Sequence, residues 1–167
     1  MTSAVEVANR TRVPVGEVAV AALVDLVLAA EGAAGAEVGV TFVGERRMRA
    51  LNREHRARDA VTDVLAFPLE DEEEIAVVRE AQGGAREAAA PDGPPRLLGD
   101  VVICARQALR QARAAGLPPA AELAVLLVHG TLHLLGYDHE ADAGHMAVRQ
   151  AELLETAHWE GLVGTAS

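Results

Sequence analysis

Apolar positions recur along this chain with two periods, and the switches between them mark out short elements. Val5 and Val7 alternate with Glu6 and Asn9 as in a half-buried strand; a helical period then runs from Pro14, a residue suited to a first helical turn, to about Ala30. Gly32 and Gly35 end that helix. Val38, Val40, Phe42 and Val43 predict a second strand, and a helix over about 45–54 carries Met48 and Leu51 inward. Val61 to Leu69 predicts a third strand and Leu97 to Ala105 a fourth, followed by a helix from Arg106 to Ala114 that Gly116 stops. Pro118 and Pro119 open an apolar helix that runs into HGTLHLLGYDH at 129–139, and a last amphipathic helix covers about 142–158. Strands and helices interleave, which predicts a small mixed sheet covered by helices.

Between the third and fourth strands the pattern fails. The acidic run Glu70-Asp71-Glu72-Glu73-Glu74 leads into a stretch rich in Gly, Ala and Pro, too polar and irregular to pack, so about 71–96 is expected to be a mobile loop. With 167 residues, half of them apolar, residues 1–167 are expected to form one domain.

Composition narrows the function classes. A formal net charge of −10 argues against wholesale coating of nucleic acid or anionic membrane, so a polyanion would need a local basic cleft. The single cysteine, Cys104, sits in an apolar run and has no partner for an internal disulfide, which fits a reducing cytoplasm. MTSAVEVANR lacks the basic and apolar regions of a secretory signal. The apolar stretch 117–135 is interrupted by Pro118, Pro119, Glu122, His129 and His133, which suits a buried helix better than a membrane span.

The chemistry concentrates in HGTLHLLGYDH. His129 and His133 are four residues apart, so on a helix both imidazoles leave one face a turn apart and can reach one ion. Gly136 stands where a helix commonly ends in a left-handed turn, after which the chain can fold back and bring His139 in as a third ligand. With six histidines, this triple spacing would arise by chance in about one chain in a hundred. Three imidazoles with a fourth position open are a catalytic arrangement, since structural zinc sites are normally closed by four protein ligands. One Zn2+ is the first expectation, with other imidazole-binding divalent metals left open. His145 and His158 fall on a polar helix and are expected to face solvent.

The same spacing occurs in metzincin peptidases, which need a glutamate directly after the first histidine as general base. Here that position is Gly130, which accepts no proton. A mid-helix glycine costs about 1 kcal/mol relative to alanine, and the reading favoured by the sequence is that it clears room for a substrate beside the metal.

A second cluster, RRMRALNREHRAR at 46–58, sets six arginines against one glutamate. Most are expected to pair with neighbouring acids on a solvated helix face. A planar guanidinium near a metal, however, suits binding a phosphodiester and neutralising the charge that develops during its cleavage.

On these residues the chain resembles the YbeY endoribonucleases, metal-dependent enzymes of ribosomal RNA maturation and ribosome quality control. HGTLHLLGYDH matches the family's HGxLHLxGYDH, Leu98-Gly99-Asp100-Val101-Val102-Ile103 is similar to its LGDIVI strand, and Leu51-Asn52 through Arg56 to Thr62-Asp63-Val64-Leu65 matches its LNxxYRxxxxxTDVLSF segment. The resemblance implies an α+β fold, a four-stranded mixed sheet covered by about five helices, with the metal in a cleft at the end of a central buried helix. It implies zinc on His129, His133 and His139, and Arg56 as the arginine important for activity. It also implies single-stranded ribosomal RNA as substrate, including the 3′ end of 16S RNA, with ribosomal proteins or the small subunit as partners, in the cytoplasm and away from membranes. The chain departs from the family pattern at His55, where tyrosine is usual, and at Ala66, where serine is usual. Ala147 and Gln150 stand where acidic residues are common and receive no role.

Three carboxylates are further candidates. Asp138 could orient an imidazole, and Asp63 or Asp100 could position Arg56; each also reads as a cap or turn residue. A rival expectation is a ribosome-assembly factor whose zinc holds the fold and whose nuclease activity is incidental, since overall acidity fits contact with basic ribosomal proteins.

Overall fold

The computed structural model describes residues 4–69, 96–138 and 144–164. In chain order the described elements are β1 (Val5–Asn9), α1 (Glu17–Ala30), β2 (Glu37–Val43), α2 (Glu45–Arg56), β3 (Val64–Pro68), β4 (Leu97–Cys104), α3 (Ala105–Ala115), α4 (Pro119–Leu134) and α5 (His145–Thr156). The expected α+β class with a four-stranded mixed sheet is what forms: the order is β1-β2-β4-β3, with β1, β2 and β4 parallel and β3 antiparallel to β4.

Alternation along the strands sorts side chains onto two faces. Val38, Val40 and Phe42 of β2 and Val101 and Ile103 of β4 point to the main core, which α1, α4 and α5 complete with Leu28, Leu127, Leu132 and Met146. The opposite face holds a smaller cluster beneath α2, made by Val43, Met48, Leu65, Val102 and Cys104. Cys104 is fully buried there, and burial pushes its thiol up, so it serves as a small core residue rather than as a nucleophile.

Several boundaries differ from the expectations for physical reasons. Pro14 does not open α1: Val15 pairs with Val163 in an isolated antiparallel bridge, Gly16 N–H donates to Leu162 O (2.9 Å), and Gly164 N–H donates to Pro14 O (2.9 Å). Those bonds hold 14–16 extended, and the helix starts at Glu17. α2 runs on to Arg56 and stops at Ala57, whose φ of 56° is left-handed. The third strand is shorter than expected, and Pro68 fits at its end because β3 lies at the sheet edge. The expected loop at 71–96 lies outside the described residues except for Arg96, whose carbonyl accepts the Glu37 N–H (2.7 Å). Among the described residues no helix is long and apolar enough to cross a membrane.

One polar cluster ties three elements together. Glu31, at the end of α1 with a side chain only 9% exposed, accepts a hydrogen bond from Tyr137 Oη (2.8 Å) and pairs with Arg149 of α5. Arg149 also donates to Ala30 O and to the exposed Glu152. Charge-assisted bonds at a nearly buried carboxylate are worth more than surface pairs. Glu31→Ala is therefore expected to lower unfolding free energy by about 2–3 kcal/mol, and Glu152→Ala by less than about 0.5 kcal/mol. Urea denaturation of the two variants checks both.

Candidate active site

α4 begins with the expected proline pair, Pro118 as N-cap and Pro119 in the first turn. Its polar interior residue Thr131 is satisfied within the helix by a bond from Oγ1 to Leu127 O (2.7 Å). At its end Gly136 adopts φ 94°, Gly136 N–H donates to His133 O (3.0 Å) and Tyr137 N–H to Leu132 O (3.1 Å). These two bonds form the Schellman arrangement that Gly136 predicts, and they turn the chain back after the second histidine.

His129 and His133 are half-buried on one face of α4, as their spacing requires. Their Nε2 atoms converge to 3.1 Å. Two nitrogens held tetrahedrally at about 2.0–2.1 Å from one ion would lie about 3.3 Å apart, so the donor pair fits a shared metal with little movement. His139 lies outside the described residues, and among the described residues no three His, Cys, Asp or Glu side chains gather into a metal-binding group. On its other side His129 meets α5: Nδ1 is 3.0 Å from Gln150 Oε1.

The histidines open onto a cleft of about 590 Å³ that runs along edge strand β3 and is lined by Asn52, Arg56, Arg58, Thr62, Asp63 and Ala66, among others. Arg56 belongs to α2, on the opposite face of the sheet from α4, and reaches this cleft at the open edge of β3. Its Nη2 donates to Ala66 O (2.9 Å) and its guanidinium sits 5.6 Å from the centre of the Phe67 ring. His55 packs edge-on against the same ring at 5.0 Å. The turn after α2 is pinned by the buried Asn52, whose Nδ2 donates to Ala60 O (2.8 Å), and by Arg49, which bonds both oxygens of Asp59 (2.8 and 3.0 Å). That hydrogen bond from Arg49 holds the Asp59 carboxyl below the usual carboxylate range. Arg53 lies 3.8 Å from Asp59, and Arg110 of α3 pairs with Glu45. Arg49 and Arg53 thus behave as solvated helix-face pairs, whereas Arg56 and Arg58 line the cleft.

The carboxylate candidates part company. Asp63 lines the cleft, but neither oxygen engages Arg56: Oδ1 accepts the Val64 N–H (2.8 Å) and Oδ2 accepts Gln111 Nε2 (3.1 Å), which also donates to Glu122 (2.9 Å). It fixes the start of β3 to α3 and α4. Asp100 shares the sheet face of Val102 and Cys104, the face that α2 covers, where it is exposed and stands over Gly39. Asp138 is exposed at the end of the turn that follows Gly136. His145 and His158 are exposed as expected, although His158 lies beyond the end of α5.

The family model described as Endoribonuclease YbeY matches residues 6–158. The chain belongs to the YbeY family. It is 50% identical over 141 residues to the Endoribonuclease YbeY of Anaeromyxobacter sp. strain Fw109-5, covering 83% of this chain and 62% of that one. It is 44% identical over 147 residues to the Endoribonuclease YbeY of Moorella thermoacetica, covering 84% and 88%. The chain thus spans about 62% of the length of the Anaeromyxobacter relatives and most of the Moorella one. The solution structure of TM1509 from Thermotoga maritima shares the fold over 92% of this chain and 88% of its own, with a TM-score of 0.59 and 23% identity.

Within this YbeY-family chain, Gly130 also has a packing role. A Cβ there would stand 2.7 Å from Val101 Cγ1 and 3.4 Å from Val64 Cγ2, so the missing side chain lets α4 pack against the sheet, while Gly130 also lines the cleft beside the two histidines. Glycine at this point lets α4 approach β3 and β4 closely, against the side chains of Val101 and Val64. Gly130→Ala is expected to cost about 1–2 kcal/mol net, overpacking outweighing the gain in helix propensity. Adding Val101→Ala should return part of that loss, so thermal or urea unfolding of the double variant should show positive coupling.

Proposed function

We propose that this chain is a zinc-dependent, single-strand-specific endoribonuclease acting in ribosomal RNA maturation, including the 3′ end of 16S RNA, and in ribosome quality control. The observation that carries the reading is the convergence of His129 and His133 Nε2 on the wall of a cleft whose rim bears Arg56. Membership of the YbeY family supports an RNA phosphodiester as the bond broken. His129, His133 and His139 would hold the zinc, which supplies Lewis-acid polarisation of a phosphate oxygen.

The chain's own residues account for the rest. Arg56 is anchored by one N–H on Ala66 O and by the face of Phe67, which leaves further donors for a phosphate while limiting the freedom lost on binding. A guanidinium fixed in this way stabilises negative charge as it gathers on phosphorus. Arg58, on the same cleft, adds positive potential along the path of a polyanion in a chain of net charge −10. A cleft of about 590 Å³ has room for a nucleotide or two beside the histidines. Work on ribosomal RNA in the cytoplasm, with ribosomal proteins or the small subunit as partners, belongs to the same reading.

His133→Ala is expected to lose both zinc and RNA cleavage. Arg56→Ala is expected to retain zinc and the fold but to lose cleavage by about a hundredfold, as when one donor to a developing oxyanion is removed. Zinc analysis and cleavage of a labelled single-stranded RNA, before and after chelation, check these outcomes; full cleavage by metal-free protein would overturn the proposal. In cells lacking the family's nuclease, ribosome maturation supported by folded, zinc-loaded Arg56→Ala protein would transfer the reading to an assembly factor with a structural metal.

A further inference from the structure

Gln150 lies on α5, and its Oε1 is 3.0 Å from His129 Nδ1. An amide oxygen only accepts, so this contact requires the proton of a neutral His129 to sit on Nδ1. The lone pair is then on Nε2, the atom that faces His133 Nε2 at 3.1 Å. The Nε2 contact is consistent with that tautomer, with His133 as the donor. Free imidazole does not choose between its nitrogens so firmly, and a ligand that must first rotate or shift its proton binds metal less tightly.

We infer that Gln150 is a positioning residue for the metal site: it holds His129 in the Nδ1–H tautomer with Nε2 presented to the ion. The inference rests on His129 being a zinc ligand, as proposed above. The chemistry of the amide adds a second step. A carboxylate in this place, common in the family, would orient the ring as well and raise its basicity. The amide orients the ring without adding charge. α5 thereby contributes to the site although none of its residues lines the cleft beside the histidines.

The test compares the full chain with Gln150→Leu and Gln150→Glu, which have similar size and leave α5 able to form. Zinc affinity is read by competition with a chromophoric chelator, and the His129 tautomer by two-bond nitrogen–proton NMR correlations in zinc-loaded and chelated protein. Gln150→Leu is expected to weaken zinc binding by about 10-fold or more and, in chelated protein, to let His129 populate the Nε2–H form. Gln150→Glu, which keeps an acceptor on Nδ1, is expected to hold affinity at or above the wild-type value. Wild-type affinity in Gln150→Leu, or an Nε2–H His129 in the chelated wild-type chain, would overturn the inference. Failure of the wild-type chain to bind zinc at all would instead overturn the proposed function, and the chelated-state tautomer would still decide what Gln150 does.

Discussion

The close approach of α4 to the sheet is the constraint on which the site depends. At Gly130 the helix backbone comes so near β4 that even a methyl group would meet Val101 at 2.7 Å. One residue earlier and three residues later the same helix carries His129 and His133, so the approach sets how far the imidazoles stand from edge strand β3. The contact is apolar and short-ranged, with Val64 and Val101 as its sheet side. Dense packing of this kind transmits position with little slack. The glycine inside the histidine motif is thus a distance-setting element on the wall of the cleft.

Bringing Arg56 to that site is a topological problem, because α2 and α4 cover opposite faces of the sheet. The solution uses the edge. β3 is the last strand in the order β1-β2-β4-β3, so a long side chain from the end of α2 can cross beside it and bond the Ala66 carbonyl, a group that an interior strand would have spent on its neighbour. Asn52, Arg49 and Asp59 fix the turn from which Arg56 departs. They also explain why a segment with six arginines presents few of them to the cleft: pairing within the turn removes charge from the helix face and leaves Arg56 and Arg58 where a polyanion would pass.

Much of this was legible in the chain itself, and the unreadable parts have identifiable causes. Period-2 and period-3.6 patterns located the elements because each buries one face, and Gly136 located the end of α4 because left-handed backbone is costly for other residues. Pro14 misled because its local preference for a first helical turn competes with a bridge to Val163, about 150 residues away, which no local pattern reports. Gln150 stands out only as a departure from the family pattern; its contact with His129 needs α5 packed on α4. The contact of Gly130 with the sheet is likewise tertiary.

The same tertiary logic bears on the third histidine of the motif. Tyr137, just before the segment 139–143, and Arg149, just after it on α5, both bond the one nearly buried carboxylate of Glu31. The two flanks of the segment that carries His139 are therefore referred to a single fixed point at the end of α1. The tyrosine of the motif thereby ties the end of α4 to α1 and α5 through one carboxylate. A change at Glu31 should accordingly loosen the packing of α5 against the end of α4 as well as lower the stability of the fold.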